Sequence, residues 1–352
     1  MLLTLLVALI VLSALAPHEI PRYPELVNWP TIGTLLGLMI LTKGLELSGW
    51  LHHVGRQVIA RLSSQRSLAF LLVCGSGLLA MLLTNDIALF VAVPLTLELA
   101  EFAELPLRRL VIFEALAVNA GSLLTPIGNP QNILLWQLSR VHFTVFMQHM
   151  LPPFFIAAVC LLLLTLVAFP ASRLQTRPHR EVPSLHKPLL LVSALLYLPF
   201  LVLADLYFVW AGLVVVLAVF LAAFRTQLRQ IDWPLLAVFV LMFIDLGRLA
   251  EYPVLAYANL ARPAVLYVTG ALSSQLISNV PAAILLSRYS GDWQTIAWAV
   301  DIGAFGTLIA SLANLIALRL GRQRGSLVAF HVWSVPFLVV VGTLVWLWLA
   351  WA

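Results

Sequence analysis

Between Asn119 and Asn132 the chain reads N-A-G-S-L-L-T-P-I-G-N-P-Q-N, a polar, helix-breaking run set inside apolar sequence. Pro126 and Pro130 lack a backbone N–H and Gly128 loosens the chain between them, so a helix arriving from Arg108 is expected to unwind near Thr125. Asn129 suits an N-cap and Pro130 a first helical position, which places the restart of a second half-helix at Asn129. Inside a bilayer, such a break leaves carbonyls at one half's end and N–H groups at the other's start, and both need partners. A transported ion or substrate is the usual partner, so the chemistry is coordination and hydrogen bonding.

The composition demands that setting. The 352 residues are 62% hydrophobic and 10% charged, with a mean hydropathy of +1.01, values of an all-α polytopic membrane protein. The net charge of +5 fits basic cytoplasmic loops, so the expected surroundings are a lipid bilayer and no nucleic acid. Cys74 and Cys160 both sit in apolar runs, which indicates neither a disulfide framework nor a cysteine metal site. Sequence patterns for an intramembrane enzyme, such as G-x-S-x-G or H-E-x-x-H, are lacking, and no cofactor is expected.

In chain order, residues 1–16 read as a retained first helix: Ala14-Leu15-Ala16 resembles a cleavage site, but no basic residue precedes the apolar run and Pro17 follows it. A span at 28–48 opens with Asn28-Trp29-Pro30, and 50–66 reads as an amphipathic stretch on the cytoplasmic surface. Residues 67–83 and 87–100 are short for crossings that need about 20 residues, so they are expected to form a re-entrant hairpin. Its tip is Thr84-Asn85-Asp86, with Asn85 or Asp86 capping the second arm. The broken helix of 108–143 and a span at 147–170 complete this segment, and a basic loop and spans at 188–204 and 206–224 lead to the second half.

The second half repeats the landmarks in order. Asp232-Trp233-Pro234 echoes Asn28-Trp29-Pro30, Ser278-Asn279-Val280 echoes the hairpin tip, and the run from Asp301 through Thr307 and Ser311 to Asn314 echoes the break. Residue 278 lies 194 beyond 84, and residue 301 lies 182 beyond 119. The expected organisation is residues 1–27 as a first helix and outer loop, 28–170 as repeat one, 171–231 as a basic loop with two linking helices, and 232–352 as repeat two. That makes about nine full spans plus two hairpins, from the span lengths above. Fourteen of the 20 Lys and Arg fall on one face, which the positive-inside rule makes cytoplasmic. The N-terminus is then inside, the C-terminus outside, and the repeats are inverted about a midplane site.

Three acids stand out as candidate proton carriers: Asp86 at the hairpin tip, Asp301 in the place of Asn119, and Glu114 a little over one turn before Asn119. Lys43 with Glu46, and Asp245 with Arg248, are spaced for i,i+3 pairing, which lets charges enter a membrane without function.

The hairpin tip, the T-P-I-G-N-P-Q-N break and their echo resemble the ion transporter superfamily. That group includes divalent-anion/sodium symporters, citrate carriers, arsenite permeases and one class of sodium/proton antiporter. The resemblance implies a secondary transporter in which a sodium or proton gradient drives a small carboxylate or oxyanion across the inner or plasma membrane. Its alternative is a cation/proton antiporter or a proton-driven arsenite-type exporter. It implies elevator-type movement, a homodimer, and a first cation site lined by Thr84, Asn85, Thr125, Gly128 and Asn129, with sodium at Asn85, Thr125 and Asn129. Ser278, Asn279, Thr307 and Ser311 would line the matching second site, and Asn119, Asn132 and Asn314 belong to the same two breaks. This chain departs from the S-N-T tips common among dicarboxylate symporters, with Asp86 and Val280 at the third positions, and its second break lacks both prolines.

Overall fold

A computed structural model describes residues 2–27, 29–50, 53, 64–82, 84–174, 184–205, 208–249 and 259–351. Most of the expected surface stretch at 50–66 and half of the basic loop lie outside the described residues. Helices dominate, and the β-pairing among the described residues is one isolated bridge between Ser64 and Arg173.

In order, the main helices are α1 (Leu2–Leu15), α2 (Trp29–Leu47), α3 (Gln65–Leu82), α4 (Asn85–Phe102), α5 (Leu107–Ser122), α6 (Pro130–Ser139) and α7 (Phe143–Ala168). They continue as α8 (Lys187–Asp205), α9 (Val209–Ala223), α10 (Trp233–Leu249), α11 (Pro263–Ile277), α12 (Asn279–Ser287), α13 (Trp293–Gly303), α14 (Leu312–Gly321) and α15 (Ser326–Trp351). Three of these, α3, α7 and α15, are long and apolar enough to cross a membrane, and the bent pair Leu5–Leu15 and Pro17–Leu26 makes a fourth if counted as one span. The first hairpin arm is therefore longer than the sequence suggested. The Ser64 hydroxyl accepts the Ser67 N–H at 3.1 Å, and α3 starts at Gln65.

The chain divides into two compact units, Met1–Leu51 with Val182–Val254 and His52–Glu181 with Leu255–Ala352. The first packs α2 against α8 and α9, and α1 against α10. Gly37 lets α8 approach, since a Cβ there would fall 2.1 Å from the Phe200 ring. Lys43 pairs with Glu46 at 2.8 Å as expected. Arg248 reaches back to Glu19 at 3.3 Å, a long-range pairing that helical spacing does not foretell.

The second unit holds both hairpins and both interrupted helices. Its packing recurs pair for pair: α3 lies on α5 as α11 lies on α13, α4 on α14 as α12 on α6, and α5 on α14 as α13 on α6. Each hairpin's second arm thus packs on the restarted half-helix of the other repeat. The first interrupted helix is buried on all sides from Leu110 to Ser122, and its partner from Thr295 to Gly303; the breaks that follow are largely buried, with Ile309 of the second exposed.

Candidate functional site

The first break forms as the residue types require. Helix α5 ends at Ser122, and Asn129, extended at φ −155°, caps α6 by accepting the Asn132 N–H at 2.8 Å. Pro130 is the first helical residue. Gly128 is obligatory, because a Cβ would fall 2.2 Å from the Ser122 carbonyl. Thr125 donates to the Met81 carbonyl at 2.8 Å and ties the break to the first hairpin.

At the hairpin tip the order of residues differs from expectation. Thr84 occupies the N-cap position of α4 without a side-chain cap bond, and Asn85 and Asp86 are its first two helical residues. The Asn85 N–H leaves the helix for the Gly128 carbonyl at 2.7 Å, while its Oδ1 accepts the Asp86 N–H at 2.9 Å. The tip is therefore pinned to the break by backbone, and the Asn85 amide is left to face Asn119.

The second half rebuilds these bonds at the equivalent residues. The Asn132 amide donates to the carbonyls of Ser122 and Thr125 at 3.3 and 3.4 Å; the Asn314 amide does so to Ala304 and Thr307 at 2.9 and 3.2 Å. Thr307 donates to the Gln275 carbonyl at 3.2 Å as Thr125 does to Met81, and Asn279 accepts the Val280 N–H at 2.9 Å as Asn85 accepts that of Asp86. Ser311 is the N-cap residue of α14, in the place of Asn129. Unlike its counterpart Thr84, Ser278 is strained, at φ +74° and ψ 158°, a conformation that favours glycine.

A buried network joins both breaks and the first tip. Asn119 Oδ1 accepts from Asn85 Nδ2 at 3.3 Å and from Ser311 Oγ at 3.1 Å, and Asn119 Nδ2 donates to Asn314 Oδ1 at 2.8 Å. Across from it, Asp301 Oδ1 accepts from Asn129 Nδ2 at 3.0 Å and Gln131 Nε2 at 2.8 Å, and the Asn132 side chain adjoins the same carboxyl. Asp86 lies at the tip, 3% exposed, with an Oδ1 that has no hydrogen-bond partner among the described residues. Glu114 is buried elsewhere, between α4 and α5, where the Thr96 hydroxyl donates to its Oε1. No ion pair among the described residues involves Asp86, Glu114 or Asp301.

Residues outside the expected set also build the site. Gln131 was visible inside the motif, but the N-cap reading drew notice to Asn129 instead. Gln275 bridges the second break, donating to the carbonyls of Ala271 at 2.9 Å and Gly303 at 2.6 Å and accepting the Thr307 N–H at 2.7 Å. Ser334 and His331 on α15 hold the Gly306 carbonyl at 2.7 Å and the Leu308 N–H at 3.2 Å.

Two interrupted helices around a buried polar cluster, each break with a hairpin tip bonded to it, are the parts of a membrane transport protein. The particular kind follows from comparison: the CitMHS citrate-transporter family model matches residues 2–303, and the chain belongs to that family. It is 44% identical over 334 residues to the inner membrane protein YbiR of Escherichia coli, covering 93% of this chain and 89% of that one. Over 320 residues it is 31% identical to the uncharacterized transporter MJ0456 of Methanocaldococcus jannaschii, with coverages of 90% and 87%. A shorter match, 32% over 126 residues, covers 36% of this chain and 26% of the silicon efflux transporter LSI3 of rice. The chain is a transporter and not an enzyme.

Proposed function

We propose that the chain is a secondary active transporter in which a sodium or proton gradient drives a small carboxylate or oxyanion across the inner membrane. One observation carries this reading: both breaks and the first tip converge through Asn119, Asn85, Ser311 and Asn314 on one buried polar cluster, and the second tip reaches the second break where the Ser278 hydroxyl donates to the Ala310 carbonyl at 3.4 Å. Cut helices leave their end groups there for a solute to use, and half-helix N-termini at Asn129 and Ser311 suit negative charge. The repeats take inverted orientations, with the N-terminus cytoplasmic and the C-terminus outside, and the unit holding both hairpins moves as an elevator within a homodimer.

Purified protein in liposomes tests this with labelled citrate and a panel of small anions under imposed sodium or proton gradients. Gradient-dependent uptake is expected, with a loss of at least tenfold in Asn85→Ala and Asn279→Ala. Unchanged coupled uptake in both variants refutes the site, and no uptake of any anion refutes the reading.

A second reading, proton-driven export of a weakly acidic oxyanion, draws on the two acids of the site and on the match to a silicon efflux protein. Under it, Asp86→Asn abolishes pH-dependent exchange, and full exchange in that variant removes it.

A further inference from the structure

The unmet hydrogen-bond capacity of the site lies entirely in one member of each repeated pair. Asp301 Oδ2, Asn132 Oδ1 and Gln131 Oε1 are buried without a hydrogen-bond partner among the described residues. Their residues are 1%, 0% and 1% exposed. The repeat supplies a counterpart for each. Asn119 stands for Asp301 and is fully engaged; Asn314 stands for Asn132, and its Oδ1 accepts from Asn119 at 2.8 Å; Ala313 stands for Gln131 and has no polar group.

The three residues meet at one carboxyl group. Gln131 and Asn129 both donate to Asp301 Oδ1, at 2.8 and 3.0 Å, and Asn132 adjoins the same carboxyl. Both hydrogens of the Asn132 amide are committed to the Ser122 and Thr125 carbonyls, so its oxygen cannot be exchanged for nitrogen by a flip. In the other half, the group facing this oxygen is a donor. Here it is the Asp301 carboxyl.

We propose that Asp301 Oδ2, Asn132 Oδ1 and Gln131 Oε1 form a seat for one sodium ion, distinct from the sites that resemblance places at Asn85, Thr125 and Asn129, and with no copy in the second break. One carboxylate with neutral amide oxygens balances a single positive charge, whereas divalent ions draw on several carboxylates or phosphates. A single proton on Asp301 has one bond to give, while a cation is shared by all three oxygens. At the equivalent place in the other half, Asn119 Nδ2 donates to Asn314 Oδ1 at 2.8 Å and Ala313 brings no side-chain oxygen, so no second seat forms there.

The inference rests on the transporter reading only for its role in coupling, and it is tested without transport. Melting of the purified full-length protein in detergent is followed in sodium chloride and in choline chloride at matched ionic strength. Sodium is expected to raise the melting temperature and choline not, because only a ligand preferring the folded state stabilises it. Asp301→Asn, which copies Asn119, loses the sodium response. Gln131→Ala, which copies Ala313, needs at least about tenfold more sodium for half the shift, the scale of losing a group around a metal, and keeps the test open if the first variant does not fold. Equal melting in the two salts overturns the seat, including when pH alone moves it, and so does an undiminished response in Asp301→Asn or an unchanged midpoint in Gln131→Ala. A sodium response without anion uptake supports the seat and defeats the transporter reading; uptake without a sodium response does the reverse.

Discussion

Pro126 in the first break has no N–H to satisfy, whereas its counterpart Leu308 has one and gives it to His331 at 3.2 Å. The same contrast runs through both breaks. Met81 offers the first break only its backbone carbonyl, while Gln275, in the same place of the second hairpin, adds a side chain that bonds the Gly303 carbonyl and the Thr307 N–H. Gly121 and Gly77 bring α5 and α3 into backbone contact, but Gly303 meets the Ser274 side chain. One break is therefore opened by prolines and closed by tight packing, and the other is closed by side chains reaching in. The two breaks thus share the Asn132 and Asn314 amide bonds to their carbonyls and differ elsewhere in how they are closed.

The sharpest way to break this contrast is at the helix contacts. Gly121→Ala places a Cβ 2.0 Å from the Gly77 carbonyl, where only backbone can yield, and is expected to cost about 3 kcal/mol or more. Gly303→Ala meets the Ser274 Cβ at 2.7 Å and costs about 1–2 kcal/mol. Thermal unfolding in detergent compares them, and equal losses would erase the difference in packing.

Gln275→Met makes the second hairpin copy the first. It leaves the Thr307 N–H without its acceptor and strips one donor from Gly303, an expected loss of about 2 kcal/mol. A neutral Gln275→Met would show that the second break does not need lacing.

The smallest expected effect has the opposite sign. Ser278→Gly relieves a backbone at φ +74° and is expected to stabilise the protein by about 1 kcal/mol, whereas Thr84, at φ −71°, gains nothing from glycine and loses roughly 0.5–1 kcal/mol. If both glycines destabilise, the two tips are alike.

Much of this was legible in the residues. Prolines and an N-cap asparagine act on their own neighbours, so the end of α5 near Thr125 and the restart at Asn129 could be read directly, as could the second appearance of each landmark. Pairings across the chain could not. Gln131 and Gln275 look like ordinary polar residues until folding brings them to Asp301 and Gly303, and Arg248 reaches Glu19, far from it in sequence. Asp301 and Asn119 were recognised as counterparts, but only the packed cluster turned one into a satisfied hub and left the other with an unanswered oxygen. By itself the sequence determined the apolar, helical character of the protein and the places where its helices break, because composition and backbone chemistry are local. Which broken end faces which side chain was decided by tertiary structure, since a hydrogen bond between residues 172 apart, such as that of Asn129 to Asp301, depends on packing that no local pattern encodes.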